Sequence, residues 1–339
     1  MPLLRCNANC SFCSQRLERH ERARNDPMLS LEKWFDVLKQ GMALGLSRVI
    51  ISGGEPTLYP ELIPLVHFCK TNDLHVTLNT NGICVSEGLV QALSDLALDA
   101  CVVSLYSHKP SVHDELKGVQ GAFQSAIKTL NLLKRYRIPI YFLVVLTNKN
   151  LSGLDEYLKF IRRFKPVHLY LSYLEGENLG LRPSAEDIRH FQASVLPRSI
   201  KALEALLEPM DEPGLLAKIN MFLRYTLRGQ SYTHGKLAPF RNLYQFQYVS
   251  IDDLAKGVYN PVSYKGCGIG NSLGLILGNG DVLPCLGVQY WRTPPVGNVH
   301  NMDIEKIWYG KPWERAREHG SGRCRFCPMG HHVGISLKA

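Results

Sequence analysis

The sequence contains no apolar run of about eighteen residues, the length that a membrane-spanning helix requires. It has no signal-peptide pattern after Met1, because a segment with several cysteines follows where an apolar stretch would be needed. It contains no internal repeat, no low-complexity segment and no basic tract that would indicate nucleic-acid binding. We therefore expect a cytoplasmic globular protein that binds neither membranes nor nucleic acids.

Short apolar segments alternate with amphipathic segments over the first half of the chain. The apolar segments predict buried strands at residues 48–52, 75–78, 101–105, 141–146 and 168–172. The amphipathic segments predict helices at residues 30–46, 60–72, 86–98, 122–136 and 151–164. With a first strand ending at residues 3–4, this alternation predicts an α/β fold of six strands, either a parallel sheet or a barrel with right-handed crossovers.

The pattern changes in the second half of the chain. Residues 182–229 show the pattern of helices without intervening strands. A less regular stretch rich in tyrosine and phenylalanine then extends to Pro261. We therefore predict two domains. Residues 1–230 form a barrel with trailing helices, and residues 231–339 form a linker and a small metal-binding domain.

Ten cysteines are present, and seven of them fall into two groups. The first group is Cys6, Cys10 and Cys13, and the second is Cys267, Cys285, Cys324 and Cys327. In a cytoplasmic chain of this size, such groups indicate metal binding rather than disulfides. Two of the remaining cysteines, Cys69 and Cys101, lie in predicted core positions and are expected to be buried.

The first group is a CxxxCxxC segment on a loop that follows the first strand. Three thiolates this close can each bind one iron of a 4Fe–4S cluster and leave the fourth iron without a protein ligand. An open position at a catalytic metal accepts a substrate or cofactor. The alternative is a zinc knuckle with His20 as its fourth ligand.

The second predicted strand runs into Gly53, Gly54 and Glu55. Glycines let the backbone approach a ligand closely, and the carboxyl ends of barrel strands are where substrates bind. At such a position Glu55 could accept a hydrogen bond from an amine. A tight turn without a ligand explains the glycines equally well.

With these two elements, the chain resembles the radical S-adenosylmethionine (radical SAM) superfamily over essentially its whole length. The resemblance implies a partial (β/α)6 TIM-like barrel in which Cys6, Cys10 and Cys13 bind a 4Fe–4S cluster. It also implies that S-adenosylmethionine chelates the open iron through its amino and carboxylate groups. The positions that match cofactor-binding positions of the family are Phe12, Gly53, Gly54, Glu55, Asn81, Ser104, Leu146 and Tyr173.

The chain departs from the family pattern in three places. Tyr106 stands where an aspartate often follows the serine and leucine of the fourth strand. Lys117 replaces the arginine in the segment that begins with His113 and Asp114 and ends at Gly118. The first strand is nearly absent, because the cysteine segment already begins at Cys6.

The second cysteine group resembles the SPASM/twitch domain that follows many radical SAM barrels. Four thiolates fill every iron of a 4Fe–4S cluster, so the resemblance implies one auxiliary cluster. A structural zinc site is the alternative, since two cysteines separated by two residues also bind zinc. His331 and His332 lie close enough in sequence to replace a ligand.

We therefore predict a radical SAM enzyme with two 4Fe–4S clusters. It would cleave S-adenosylmethionine reductively, abstract a substrate hydrogen and modify a peptide oxidatively. The alternatives are a dehydrogenase or epimerase acting on a small molecule such as a sugar or aminocyclitol, and a zinc-binding module without activity. Cys84, beside the presumed active-site mouth, is the candidate hydrogen-atom donor for an epimerase.

The predicted partner is an acidic electron donor. The formal net charge of +9 suits a flavodoxin-like or ferredoxin-like protein, although a merely solvated basic surface would give the same charge.

Overall fold

The computed structural model describes residues 1–13, 27–174, 179–207, 251–256, 273–284 and 294–320. The second cysteine group and three candidate histidine ligands lie outside the described residues: Cys267, Cys285, Cys324, Cys327, His20, His331 and His332. The predicted domain boundary also falls outside them, so it stays a prediction.

Strands and helices alternate through the first half of the chain as expected. The strands are β1 (Arg48–Ile51), β2 (His75–Thr80), β3 (Ala100–Ser104), β4 (Ile140–Leu146) and β5 (His168–Tyr173). The helices between them are α1 (Leu31–Ala43), α2 (Leu62–Thr71), α3 (Glu87–Asp95), α4 (Pro110–Lys117), α5 (Ala122–Arg135) and α6 (Leu154–Ile161). Of these helices, only α4 was not predicted from the sequence.

The five strands form one parallel sheet in the order β1-β2-β3-β4-β5. An isolated parallel bridge between Leu3 and Gly53 places the start of the chain beside the end of β1. The first of the six predicted strands is therefore reduced to a single bridge. The result is the predicted α/β architecture, a partial TIM-like barrel.

The sheet has a buried face and a concave face. The strand register aligns Ile51, Leu78 and Cys101 on one face, and all three are buried in the core that the helices cover. Ser104, Leu143 and Tyr170 form an aligned row on the opposite face, and all three are half-buried. Because successive strand residues alternate between faces, this register decides which side chains can reach a ligand inside the barrel.

Further helices follow the sheet, and a small antiparallel sheet lies near the end of the chain. The helices are α7 (Ala185–His190), α8 (Leu196–Leu207), α9 (Ile251–Ala255), α10 (Ile304–Trp308) and α11 (Lys311–Gly320), with a π-helical segment at Phe191–Val195. The strands are β6 (Leu275–Ile276), β7 (Asp281–Leu283) and β8 (Gly297–Asn298). Among the described helices, none has the length and apolar character needed to cross a membrane.

The small sheet contacts the beginning of the chain directly. Met1 packs against Leu277 and Leu283, and its amino group donates a hydrogen bond of 2.7 Å to the carbonyl of Ile276. The amide of Leu29 donates to the carbonyl of Gly278 at 2.7 Å. The elements around the second cysteine group are thus anchored next to the segment that carries the first group.

Candidate functional site

The loop with the first cysteine group is fastened to the carboxyl end of α4. The amide of Asn9 donates to the carbonyl of Lys117 at 2.9 Å, and the amide of Ser11 donates to the carbonyl of Leu116 at 3.2 Å. Gly118 has a φ of 61°, and a Cβ at this position would lie 2.4 Å from the carbonyl oxygen of Asn9. Only glycine therefore allows the loop to approach the helix end this closely.

The three cysteines of this loop, Cys6, Cys10 and Cys13, are half-buried and are not joined by disulfides. Within the described residues, no three cysteine, histidine or carboxylate side chains converge at the distances that one metal ion requires. Three thiolates on one loop can each bind one iron of a 4Fe–4S cluster.

Two donors point at the sulfur of Cys6. The amide of Ala8 lies 3.4 Å from its Sγ, and the side-chain nitrogen of Asn81 lies 3.7 Å from it. Asn81 also donates to the side-chain oxygen of Asn7 at 2.7 Å. Asn81, predicted as a cofactor ligand, is therefore occupied with the cysteine loop through its contacts with Cys6 and Asn7.

Gly53 and Gly54 lie where the first residues of the chain pass too close to leave room for a side chain. A Cβ on Gly53 would lie 2.3 Å from the carbonyl oxygen of Leu3, and one on Gly54 would lie 2.0 Å from that of Arg5. The amides of Gly54 and Glu55 donate to the same two carbonyls at 2.8 and 2.7 Å. The close approach that these glycines permit is thus made by the chain itself, and it places the cysteine loop at the end of β1.

Glu55 holds two loops together. It is fully buried, and its Oε1 accepts hydrogen bonds from the amide of Thr57 at 3.1 Å and from the hydroxyls of Thr57 and Thr80 at 2.7 Å each. Its Oε2 accepts from the amide of Asn81 at 2.7 Å. Four donors satisfy this carboxylate, so Glu55 joins the ends of β1 and β2, and its contact with a cofactor amine stays a prediction.

Aromatic residues enclose the cysteine loop on another side. The rings of Phe12 and Tyr106 meet edge-to-face with centroids 4.9 Å apart. Burial raises the pKa of Tyr106 well above its ordinary value, the thiolate of Cys10 raises it further, and hydrogen bonding with Ser104 opposes the rise. Three residues selected from the sequence, Phe12, Ser104 and Cys10, are thus brought together around Tyr106.

His113 holds the backbone of Tyr106 in place. Its Nδ1 accepts a hydrogen bond of 3.1 Å from the amide of Tyr106. Burial lowers the pKa of His113 to about 3, and the positive charge of Lys117 acts in the same direction. The imidazole is therefore neutral near pH 7 and acts as a structural acceptor.

The remaining predicted residues are Leu146, Cys84 and Tyr173, and the side chain of Tyr173 lies outside the described part of the structure. Leu146 lies on the helix-covered face with 2% of its surface exposed, and its backbone partner in the sheet register is Tyr173. Cys84 is exposed in the loop that follows Asn81 and Gly82. Cys69 and Cys101 are buried as predicted, and burial raises the pKa of the Cys69 thiol to about 12.

Comparison with known proteins identifies the family. The model of the radical SAM superfamily matches residues 2–161, and the model of the SPASM iron–sulfur cluster-binding domain matches residues 267–328. Residues 2–161 are therefore a radical SAM domain. The SPASM match contains all four cysteines of the second group. These matches decide against the zinc-binding module, and the cofactors are iron–sulfur clusters and S-adenosylmethionine.

Two curated relatives carry the same name. The chain is 29% identical over 327 residues to the PqqA peptide cyclase of Ruegeria pomeroyi, covering 95% of this chain and 77% of that protein. It is 26% identical over 178 residues to the PqqA peptide cyclase of Gluconobacter oxydans, covering 52% of this chain and 49% of that protein.

Two solved structures share the fold. SuiB of Streptococcus suis, bound to the precursor peptide SuiA, superimposes with a TM-score of 0.62 at 19% identity, covering 96% of this chain and 69% of that one. The enzyme anSMEcpe, with bound S-adenosylmethionine and a peptide, gives a TM-score of 0.67 at 14% identity, covering 98% of this chain and 85% of that one. These likenesses show that the chain shares the fold of these two proteins.

Proposed function

We propose that this radical SAM enzyme introduces an oxidative modification into a peptide. The observation that carries the proposal is the alignment with the PqqA peptide cyclase of Ruegeria pomeroyi, which covers 95% of the chain. The peptide-bound structures of SuiB and anSMEcpe support it through the shared fold.

The concave face of the sheet carries exposed and half-buried side chains that an extended substrate could contact. On its first strand, Arg48 and Ile50 are exposed, and half of the surface of Ile50 is accessible. The aligned row of Ser104, Leu143 and Tyr170 is half-buried, and Ser104 is the last residue of its strand. A peptide that enters along β1 would therefore reach the cysteine loop at the end of the same strand.

The residues around the cysteine loop hold and shield the reaction site. When bound and reduced, the first cluster and S-adenosylmethionine supply a 5′-deoxyadenosyl radical that removes a hydrogen atom from the substrate. Completing a new bond in the substrate requires the loss of one further electron and one proton. Cys267, Cys285, Cys324 and Cys327 would hold an auxiliary cluster, which would supply an acceptor for that electron. His113 stays neutral and Tyr106 stays protonated near pH 7, so neither side chain carries a charge during the loss of this electron and proton.

The electron that starts the reaction is proposed to come from a flavodoxin-like or ferredoxin-like protein in the cytoplasm. The formal net charge of +9 supports an acidic donor, since opposite net charges accelerate association.

The test uses the full chain, reconstituted with iron and sulfide without oxygen. It is incubated with dithionite, S-adenosylmethionine and synthetic precursor peptides encoded near its gene, and the products are analysed by mass spectrometry. The proposal predicts 5′-deoxyadenosine and a peptide lighter by two hydrogen atoms. Cleavage of S-adenosylmethionine that never yields a changed peptide, together with turnover of a sugar or aminocyclitol, would transfer the assignment to a small-molecule enzyme.

A further inference from the structure

Lys117 is a buried cation without a hydrogen-bond partner for its ammonium group. None of its surface is exposed, and no described residue accepts a hydrogen bond from its Nζ. Burying an ammonium group without compensation is costly, and proteins compensate such groups with an opposite charge. An unpaired lysine at the end of α4 therefore indicates that a negatively charged group belongs beside it.

The surroundings of Lys117 define where that group lies. Its Nζ stands 4.3 Å from the centroid of the Tyr106 ring, in cation–π geometry. Its backbone carbonyl accepts the hydrogen bond from Asn9 in the middle of the cysteine loop. The nearby carboxylate of Glu55 already accepts four hydrogen bonds.

The electrostatics point in the same direction. Burial lowers the pKa of Lys117, and the strongest opposing influence is the thiolate of Cys10, followed by Glu55, Cys6 and Cys13. The three thiolates that act on Lys117 are those of the cluster loop. A cluster held by these thiolates is the negative group that fits the position.

We propose that Lys117 faces the cluster bound by Cys6, Cys10 and Cys13 and raises its reduction potential through a fixed positive charge. Reduction adds one negative charge to the cluster, and a nearby cation in a poorly solvated site stabilises the reduced form more than the oxidised form. Lys117 is thus a tuning residue for the one-electron step. The proposal requires the cluster but is independent of the substrate class.

The test compares three variants of the reconstituted full chain in a redox titration monitored by electron paramagnetic resonance. Lys117→Met removes the charge, and Lys117→Arg keeps it. Lys109→Met removes an exposed lysine at the other end of the same helix and serves as the control. The titration is run without S-adenosylmethionine, and the relevant signal is identified by its change when S-adenosylmethionine is added at the end.

Lys117→Met is expected to shift the midpoint to a more negative potential. At a fixed potential, its ratio of reduced to oxidised cluster should fall on the order of tenfold, the size expected for one partly screened charge nearby. Lys117→Arg and Lys109→Met should stay close to the parent protein. Loss of iron in Lys117→Met while Lys117→Arg keeps it would likewise support a requirement for the charge.

Two results would overturn the inference. One is a Lys117→Met protein with full iron content and the parent midpoint. The other is loss of iron in both Lys117 variants, which would show that the side chain matters for packing and not for charge. If the parent protein shows no signal that responds to S-adenosylmethionine, the cluster assignment fails, and this inference fails with it.

Discussion

Replacing Glu55 by glutamine tests whether this carboxylate joins two loops or binds the cofactor. Four donors surround it, three at Oε1 and one at Oε2. A glutamine keeps one oxygen but presents an NH2 group to the donors at the other position. If the NH2 group takes the place of Oε2, it faces the N–H of Asn81, and neither of these two buried donors has an acceptor there.

The cost follows from the burial of the site. A hydrogen bond to a charged group contributes about 1.5–3 kcal/mol, and a buried donor left unpaired costs about 1–3 kcal/mol. We therefore expect Glu55→Gln to destabilise the protein by about 2–4 kcal/mol. For a domain of roughly 150–250 residues this corresponds to a melting temperature lower by several degrees, about 2–4 °C per kcal/mol.

The assay is anaerobic thermal melting of the reconstituted protein, together with the affinity for S-adenosylmethionine measured well below the melting temperature. Glu87→Gln is the matched control, because Glu87 is exposed and its ion pair with Arg135 should contribute at most about 1 kcal/mol. The structure predicts a lower melting temperature and a retained affinity for Glu55→Gln. An unchanged melting temperature with a lost affinity would refute the reasoning and make Glu55 a cofactor ligand.

Three further predictions concern the same region. Gly54→Ala should destabilise the protein severely and reduce its iron content, because the new Cβ would lie 2.0 Å from the Arg5 carbonyl oxygen. The control is Gly88→Ala in helix α3, where the new Cβ meets no atom within 4 Å. Thermal melts should show that this control is neutral or slightly stabilising. Asn81→Ala should lower the cluster midpoint potential in the same titration, since it removes a donor 3.7 Å from Cys6 Sγ; an unchanged midpoint at full iron content would contradict this. Stability should fall on acidification below about pH 6.5, because the unfolded chain then protonates His113 while the folded chain, with a pKa of about 3, does not. The free energy of unfolding should fall by up to about 1.4 kcal/mol per pH unit from this group. Urea titrations at several pH values should show a weaker pH dependence of that free energy for His113→Asn than for the parent protein. The exposed His190→Asn should keep the pH dependence of the parent.

The fold was predictable because its signals are local. Short apolar segments separated by amphipathic helices predict a parallel α/β sheet. Five of the six predicted strands were found close to their expected places, and the first is reduced to the Leu3–Gly53 bridge. Helix α4 was missed, because it is only eight residues long and its side chains do not form a clear apolar face.

The roles of individual side chains were harder to predict. Glu55 and Thr80 are 25 residues apart in the sequence, and only the parallel pairing of β1 and β2 brings their side chains to 2.7 Å. Leu146 was predicted as a cofactor contact from the resemblance to the family, and the strand alternation turns it to the helix-covered face. Lys117 was visible in the sequence only as a replacement for arginine, and its complete burial is a property of the folded chain.

The central claim is that Cys6, Cys10 and Cys13 hold the cluster that cleaves S-adenosylmethionine. The most direct measurement is 5′-deoxyadenosine formation after anaerobic reconstitution and reduction with dithionite, combined with metal and sulfide analysis. The account predicts that the parent protein and Cys69→Ala, which changes a buried core thiol, form 5′-deoxyadenosine, whereas Cys10→Ala loses both this activity and the corresponding iron. Zinc in place of iron, or cleavage that survives in Cys10→Ala, would contradict it.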